Sequence, residues 1–303
     1  MPDFRRILVI FNPAAGQRRL SNVPRKIDEH FTQQNLEFEI RETERGGDAL
    51  RWARSAHAEG YDLVAAAGGD GTVRECVEGI MRSGAQVPLA QIATGSGNVT
   101  ARAFSIPLDL KKALDTITTG KVTRFDVGYL PEHDRHFVFI VGAGYDARLI
   151  HDTPRHLKQS LGFSAYLLSG VKHFFSVRPV KIELELDNNL RRIKAHTIMA
   201  INIGSIAAID WAVAPDIDAH DGKLNIMVMS SRSLLGSIIV LMKILTNRYY
   251  GYGDLKHYQA QRIRVTADPP LPVQIDGEPL GMTPFVAHVI PNGMPFVVPI
   301  DYE

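Results

Sequence analysis

The chain has 303 residues, 45% of them apolar and 22% charged, which is a globular composition and excludes a disordered or fibrous protein. Lys plus Arg total 34 against 33 Asp plus Glu, so no global field draws nucleic acid, and any attraction to an anionic surface has to be local. The single cysteine, Cys76, excludes an internal disulfide framework and a cysteine zinc cluster; it fits a reducing compartment, with the cytosol as default.

The length suggests two domains. The apolar run at 6–11 is too short for a signal peptide, has no small-residue cleavage site after it, and reads as a first strand. A helix at 24–34 follows, with Ser21 or Asn22 near its cap, then a strand at 37–42 and a helix at 48–58. Next come a strand at 62–67, a helix at 72–82 that Thr72 would cap, and a strand at 89–93. This alternation implies right-handed crossovers and a mostly parallel sheet, which binds ligands at the carboxyl ends of its strands.

From about residue 122 short strand-like stretches dominate, at 122–130, 137–141, 181–187, 194–203, 224–229, 261–267, 272–275 and 285–290. Helical patterns interrupt at 154–175 and 233–247. Strands at this spacing predict an antiparallel sandwich or barrel. The change of periodicity puts the boundary near residue 125. The apolar run at 234–245 contains Lys243 and falls short of the roughly twenty residues a spanning helix needs, so no transmembrane segment is expected.

Three strands of the first half end in turns rich in glycine or asparagine: Asn12-Pro13-Ala14-Ala15-Gly16, Gly68-Gly69-Asp70-Gly71-Thr72 and Thr94-Gly95-Ser96-Gly97-Asn98. Glycines let backbone amides close on a phosphate chain, a helix N-terminus adds positive potential, and the Asp70 carboxylate can hold Mg2+ or receive a proton. Each turn alone could be only a tight turn; gathered on one sheet edge they could clamp a triphosphate. In the second half, Asp276-Gly277 by itself is a hairpin-tip signal. Asp126, within an apolar strand start, needs a partner if buried.

These motifs, with Thr43, Gly47-Asp48-Ala49, Glu75, Gly79, Ala101-Arg102, Phe125-Asp126-Val127-Gly128 and Asp276-Gly277-Glu278, resemble in order the diacylglycerol kinase catalytic-domain family. Lys158, Gly162, Ala165, Tyr166, Ala214-Pro215 and Asp221-Gly222 also look like family positions. The resemblance implies a Rossmann-like three-layer α/β nucleotide domain at 1–125, joined by 292–303, and an antiparallel β-sandwich lipid domain at 126–291, with the active site in the cleft between. It implies an ATP- and Mg2+-dependent kinase acting on a primary hydroxyl of diacylglycerol, a sphingoid base or ceramide. Such an enzyme would be cytoplasmic, in peripheral contact with the membrane.

By the same resemblance Asp276 is the base, Asp70 works on Mg2+, directly or through water, and Asp126 supports the carboxylate network. Asn12, Thr43, Gly68, Gly69, Gly71, Thr72, Gly95, Ser96, Gly97, Asn98 and Glu278 would serve the nucleotide. Two departures stand out. Val99 occupies a position where many bacterial members carry Asp, and His220-Asp221-Gly222 replaces Asp-Asp-Gly, leaving Asp221 alone as a candidate for a structural Mg2+. Cations and aromatics between Arg155 and Pro179 suit either a core helix or a bilayer-facing one. An NAD kinase and a nucleotide- or lipid-binding regulator without catalysis remain alternatives, and pairing of a sheet edge into a homodimer stays open.

Overall fold

The first half of the chain forms β1 (Arg6–Phe11), α1 (Val23–Gln33), β2 (Glu37–Glu42), α2 (Asp48–Ser55), β3 (Leu63–Gly68), α3 (Asp70–Ser83), β4 (Leu89–Ala93), α4 (Val99–Ala103) and α5 (Leu110–Thr119). Its strands lie parallel in the order β2-β1-β3-β4, as the strand-helix alternation predicts. β1 and β3 are apolar along almost their whole length because helices cover both faces. On one face Ile7, Val9, Leu63 and Ala65 pack with Val23, Ile27 and Phe31 of α1 and Leu114 and Ile117 of α5. Leu8, Ile10, Val64 and Ala66 are equally buried and point to the opposite layer, where α3 lies over β3. The edge strand β2 exposes Glu37, Glu39 and Glu42, charges that discourage pairing with another chain.

The computed structural model describes residues 4–16, 22–144, 179–203, 205–206, 211–212, 217–230 and 255–302. They fall into two compact units, one of Met1–Phe125 with Asn292–Glu303 and one of Asp126–Ile206 with Asp210–Pro291. The helical patterns at 154–175 and 233–247, the basic-aromatic segment, and Lys158, Gly162, Ala165, Tyr166, Ala214 and Pro215 lie outside the described residues. Among the described residues no helix is long and apolar enough to cross a membrane.

β5 (Lys121–Leu130) carries the chain from one unit into the other; before it leaves, Phe125 packs on Phe104 and Phe296 at ring-centroid distances of 5.1 and 5.6 Å. The second unit contains β6 (Arg135–Phe137), β7 (Ile140–Gly144), β8 (Val180–Leu186), β9 (Asn189–Ala195), β10 (Thr197–Ile201), β11 (Ser205–Ile206) and β12 (Trp211–Ala212). It continues with β13 (Leu224–Met229), β14 (Leu255–Ala260), β15 (Arg262–Asp268), β16 (Pro272–Ile275), β17 (Glu278–Met282) and the first half of β18 (Phe285–Val298). One sheet runs β18-β15-β8-β9 and the other β14-β13-β10-β7-β16-β17, both antiparallel, while β11 and β12 form a small pair. Ile182, Leu184, Ile263 and Val265 of the first meet Val141, Ile198, Ile226 and Val273 of the second in one apolar core, the sandwich expected from the strand spacing. From Asn292 onward β18 belongs to the first unit, where Phe296 pairs in parallel with Leu89 of β4.

Three local expectations change. The helix read at 72–82 begins at Asp70, so Gly69 takes the cap position in extended conformation and Thr72 lies inside the first turn. The stretch read as one strand at 137–141 breaks into β6 and β7, because the amides of Val138 and Phe139 turn to a side chain instead of a neighbouring strand. The stretch at 194–203 likewise divides, with β9 ending at Ala195 and β10 starting at Thr197.

Candidate active site

The three glycine turns of the first unit meet. Gly16, at φ +75°, sits so close to Thr94 that a Cβ there would lie 2.5 Å from the Thr94 carbonyl oxygen. A Cβ on Gly95 would lie 2.5 Å from the Gly69 Cα, so these two turns touch backbone to backbone, an approach only glycine permits. Asn12 fastens the first turn to the second: its Nδ2 donates to Thr72 Oγ1 at 3.1 Å, while its Oδ1 accepts the Ala14 amide at 3.0 Å. Asn98 closes the third turn on itself, accepting the Gly95 amide at 3.0 Å and donating to the Gly95 carbonyl at 2.8 Å.

Together the turns border a cavity of about 460 Å3. Of the residues singled out from sequence, Asn12, Thr43, Gly69, Gly71, Thr72, Gly95 and Ser96 line it. Gly68, Gly97 and Asn98 do not; Gly68 is held under the Thr72 side chain, where a Cβ would lie 2.3 Å from Oγ1. Arg45, Arg74 and Glu44 also line the cavity. Sequence reasoning missed the two guanidinium groups, although an Arg one turn into the helix after a phosphate-type glycine turn is a readable signal.

Asp70 opens α3 beside this cavity, and its Oδ1 accepts the Thr100 amide at 3.2 Å, at the start of α4. Burial pushes its carboxyl above the ordinary range, and the amides of Val99, Thr100 and Asn98 offset part of that rise. One carboxylate beside a phosphate-sized glycine cradle fits Mg2+, which is held by one or two carboxylates together with substrate phosphates and its own waters. Among the described residues no group of three or more His, Cys, Asp and Glu side chains could hold an ion.

In the second unit Asp276 and Gly277 form the two-residue tip of the β16–β17 hairpin, with φ of +46° and +82°, as a type I′ turn requires. The Asp276 side chain does more than turn the chain: Oδ2 accepts the Val138 amide at 2.8 Å, and Oδ1 accepts those of Phe139 and Ile140, each at 2.9 Å. Glu278, just after the tip, pairs with Arg135 at 3.2 Å. Asp126 is fully buried and has the partner its position demands, the Gly222 amide at 2.6 Å on Oδ2. Its own amide donates to the Ala219 carbonyl, so Asp126 fixes the 219–222 turn that carries Asp221. Burial pushes the Asp221 carboxyl up and the Lys223 amide opposes this, while the charges of Asp218 and Asp126 add to the rise.

Comparison with known proteins accords with this arrangement. Residues 6–130 match the diacylglycerol kinase catalytic domain, and residues 139–298 match the YegS C-terminal NAD kinase β-sandwich-like domain. A diacylglycerol kinase of Bacillus subtilis is 30% identical over 281 residues, 92% of each chain. One from Staphylococcus aureus strain MRSA252 is 28% identical over 282 residues, covering 92% of this chain and 88% of its own. A crystal structure from Bacillus anthracis assigned as a diacylglycerol kinase superposes with a TM-score of 0.83 at 25% identity, covering 98% of both chains.

Proposed function

Since the chain belongs to the diacylglycerol kinase family and is a lipid kinase, we propose that it transfers the γ-phosphoryl group of ATP to the primary hydroxyl of a neutral lipid at the membrane surface, on the cytoplasmic side. Diacylglycerol is the first acceptor to test, with sphingoid bases and ceramide beside it. The observation that carries this reading is the meeting of three glycine turns around one cavity at the N-terminus of α3. Such a cradle offers backbone amides and a helix dipole to a polyphosphate.

In this reading the turn residues Gly69, Gly71, Thr72, Gly95 and Ser96 take the phosphates, with Asn12 holding the first two turns in register. Arg74 and Arg45 add positive charge along the wall. Asp70 would hold Mg2+, directly or through water. Bound there with ATP, Mg2+ supplies neutralisation of charge on the phosphoryl oxygens. Asp276 accepts the proton of the attacking lipid hydroxyl; the three amides on its carboxylate fix the orientation that such a base requires. Asp126 supports the site by holding the 219–222 turn.

The test uses purified protein, Mg2+, labelled ATP and a lipid panel, read by mass spectrometry. A phosphorylated diacylglycerol, sphingoid base or ceramide is expected, and Asp276→Asn is expected to lower kcat by about 100-fold or more. Full activity of Asp276→Asn would remove it from the mechanism. A thermal shift with ATP but no phosphorylated lipid would instead favour a nucleotide-binding regulator, the reading to which Val99 in place of a carboxylate lends support.

A further inference from the structure

Thr43, Glu44, Arg45, Gly46 and Ala49 line the cavity, and two carboxylates hold the 43–47 loop, of which Glu75 is itself a lining residue. Asp48, only 6% exposed, curls back from the first turn of α2, and its Oδ2 accepts the amides of Glu44 and Arg45, both at 3.1 Å. Its Oδ1 takes the Arg51 guanidinium at 3.0 Å. From α3, both oxygens of Glu75 accept the Gly47 amide at 3.0 Å. Gly47 caps α2 at φ +89°, a conformation that favours glycine, so the loop's end is set by its backbone as well as by its partner.

Glu75 stands one turn beyond the glycine turn on the same helix. α3 therefore fixes two walls of the cavity at once, the turn at its start and the 43–47 loop through Glu75. The spacing is rigid because α2 and α3 touch at Gly79, where a Cβ would lie 2.3 Å from the Leu50 carbonyl. The glycine turns and Ser96 offer a polyphosphate its donors, whereas Thr43, Ala49 and the loop backbone, flanked by the side chains of Glu44, Arg45 and Glu75, offer a polar nucleoside its own surface.

We propose that Asp48 and Glu75 are positioning residues that hold loop 43–47 as the nucleoside-facing wall of the cavity. The inference rests on the cavity being a nucleotide site, as in the function proposed above. It assigns phosphates and nucleoside to opposite ends of the cavity, and it gives these carboxylates no contact with the reacting atoms.

Direct binding separates the two ends without any lipid substrate. MgATP and magnesium tripolyphosphate are titrated calorimetrically into the wild-type chain and into Asp48→Ala, Glu75→Ala, Glu75→Gln and Thr72→Ala, with melts to establish that each variant is folded. Asp48→Ala and Glu75→Ala are expected to weaken MgATP about tenfold, the effect of losing hydrogen bonds to a charged group, and to leave tripolyphosphate unchanged. Glu75→Gln keeps an acceptor for the Gly47 amide and is expected to recover most of the loss. Thr72→Ala should weaken both ligands. In the kinase assay the same clamp variants should raise KM for ATP more than they lower kcat.

Equal weakening of both ligands by the clamp variants, no weakening of either, or a Glu75→Gln as impaired as Glu75→Ala, would overturn the proposal. If wild-type protein binds MgATP but phosphorylates no lipid, the proposed function fails while the clamp stands or falls by the titrations. If it binds neither ligand, both fail together.

Discussion

The Asp70 carboxylate accepts the Thr100 amide at 3.2 Å, so the first residue of α3 closes the N-terminus of α4 and links the second glycine turn to the third. That position keeps its carboxyl above the ordinary value of 3.8, chiefly through burial. The folded protein thus binds this proton more tightly than the unfolded chain, and the ionised form is a source of instability. The penalty is fully present above the raised folded value, fades as pH falls through it, and is absent below the unfolded value.

Asp70→Asn, which keeps an acceptor for the Thr100 amide, is therefore expected to melt at a higher temperature than wild type near neutral pH, with the gain shrinking in acid. The same variant is expected to lose about 100-fold or more in phosphoryl transfer, a trade of activity for stability common at charged sites. Melts across a pH series beside the kinase assay decide it. A variant less stable than wild type at neutral pH would mean that the carboxylate's bonds to α4 outweigh its desolvation.

Gln91 gives a second, independent expectation. It sits in β4 opposite Ala66, is 2% exposed, and neither its Oε1 nor its Nε2 has a hydrogen-bond partner among the described residues. A buried amide left unpaired costs about 1–3 kcal/mol, and an apolar group of the same shape removes that cost. Gln91→Met should raise the urea midpoint by the equivalent of about 1 kcal/mol without changing the m-value. A lower midpoint would show that the amide is satisfied by a buried water that Met displaces.

The contact between Gly95 and Gly69 sets a third. Gly95→Ala would place a methyl 2.5 Å from the Gly69 Cα and 2.9 Å from Asn98 Oδ1. Backbone cannot yield as a flexible side chain does, so the two turns must separate, at a cost of about 1–3 kcal/mol. MgATP affinity should fall by about tenfold or more, with a modest loss of melting temperature. Unchanged affinity would mean that the turns need not touch to bind the nucleotide.

What could be read from sequence was what is local. Gly68 must be glycine because of Thr72, four residues away, and Asp276-Gly277 must turn because both residues adopt positive φ. The central parallel strands β1 and β3 announced themselves as almost unbroken apolar runs, whereas the edge strand β2 alternates charged and apolar residues. Helix α5 was legible too, with Asp109 capping the Lys112 amide and Ala113, Leu114 and Ile117 on its buried face, but no such helix was expected there. The clamps were out of reach for a different reason. Glu75 meets Gly47 across 28 residues and Asp276 meets Phe139 across 137. No local pattern encodes a carboxylate's choice of distant amides. The error at Thr72 has the same root: a hydroxyl near a helix start resembles a cap, yet here it receives the amide of Asn12 from another turn.

Cys76 reports on the site from behind. It is fully buried on α3, and burial first, with the nearby charge of Glu75 second, pushes its thiol far above the ordinary range. The thiolate is the reactive form and the side chain is fully buried, so modification requires α3 to lift from its neighbours. Lifting α3 displaces the glycine turn at its start, so the open state cannot bind a ligand that the turn holds. Ellman's reagent is thus expected to react slowly with the folded protein and rapidly in denaturant. Saturating MgATP should slow the folded reaction further, by a factor that grows linearly with ligand concentration above Kd. Tripolyphosphate should do the same at its own Kd. Rapid stoichiometric labelling in native buffer, or a rate indifferent to both ligands, would mean that Cys76 is reached by a motion that leaves the cradle intact.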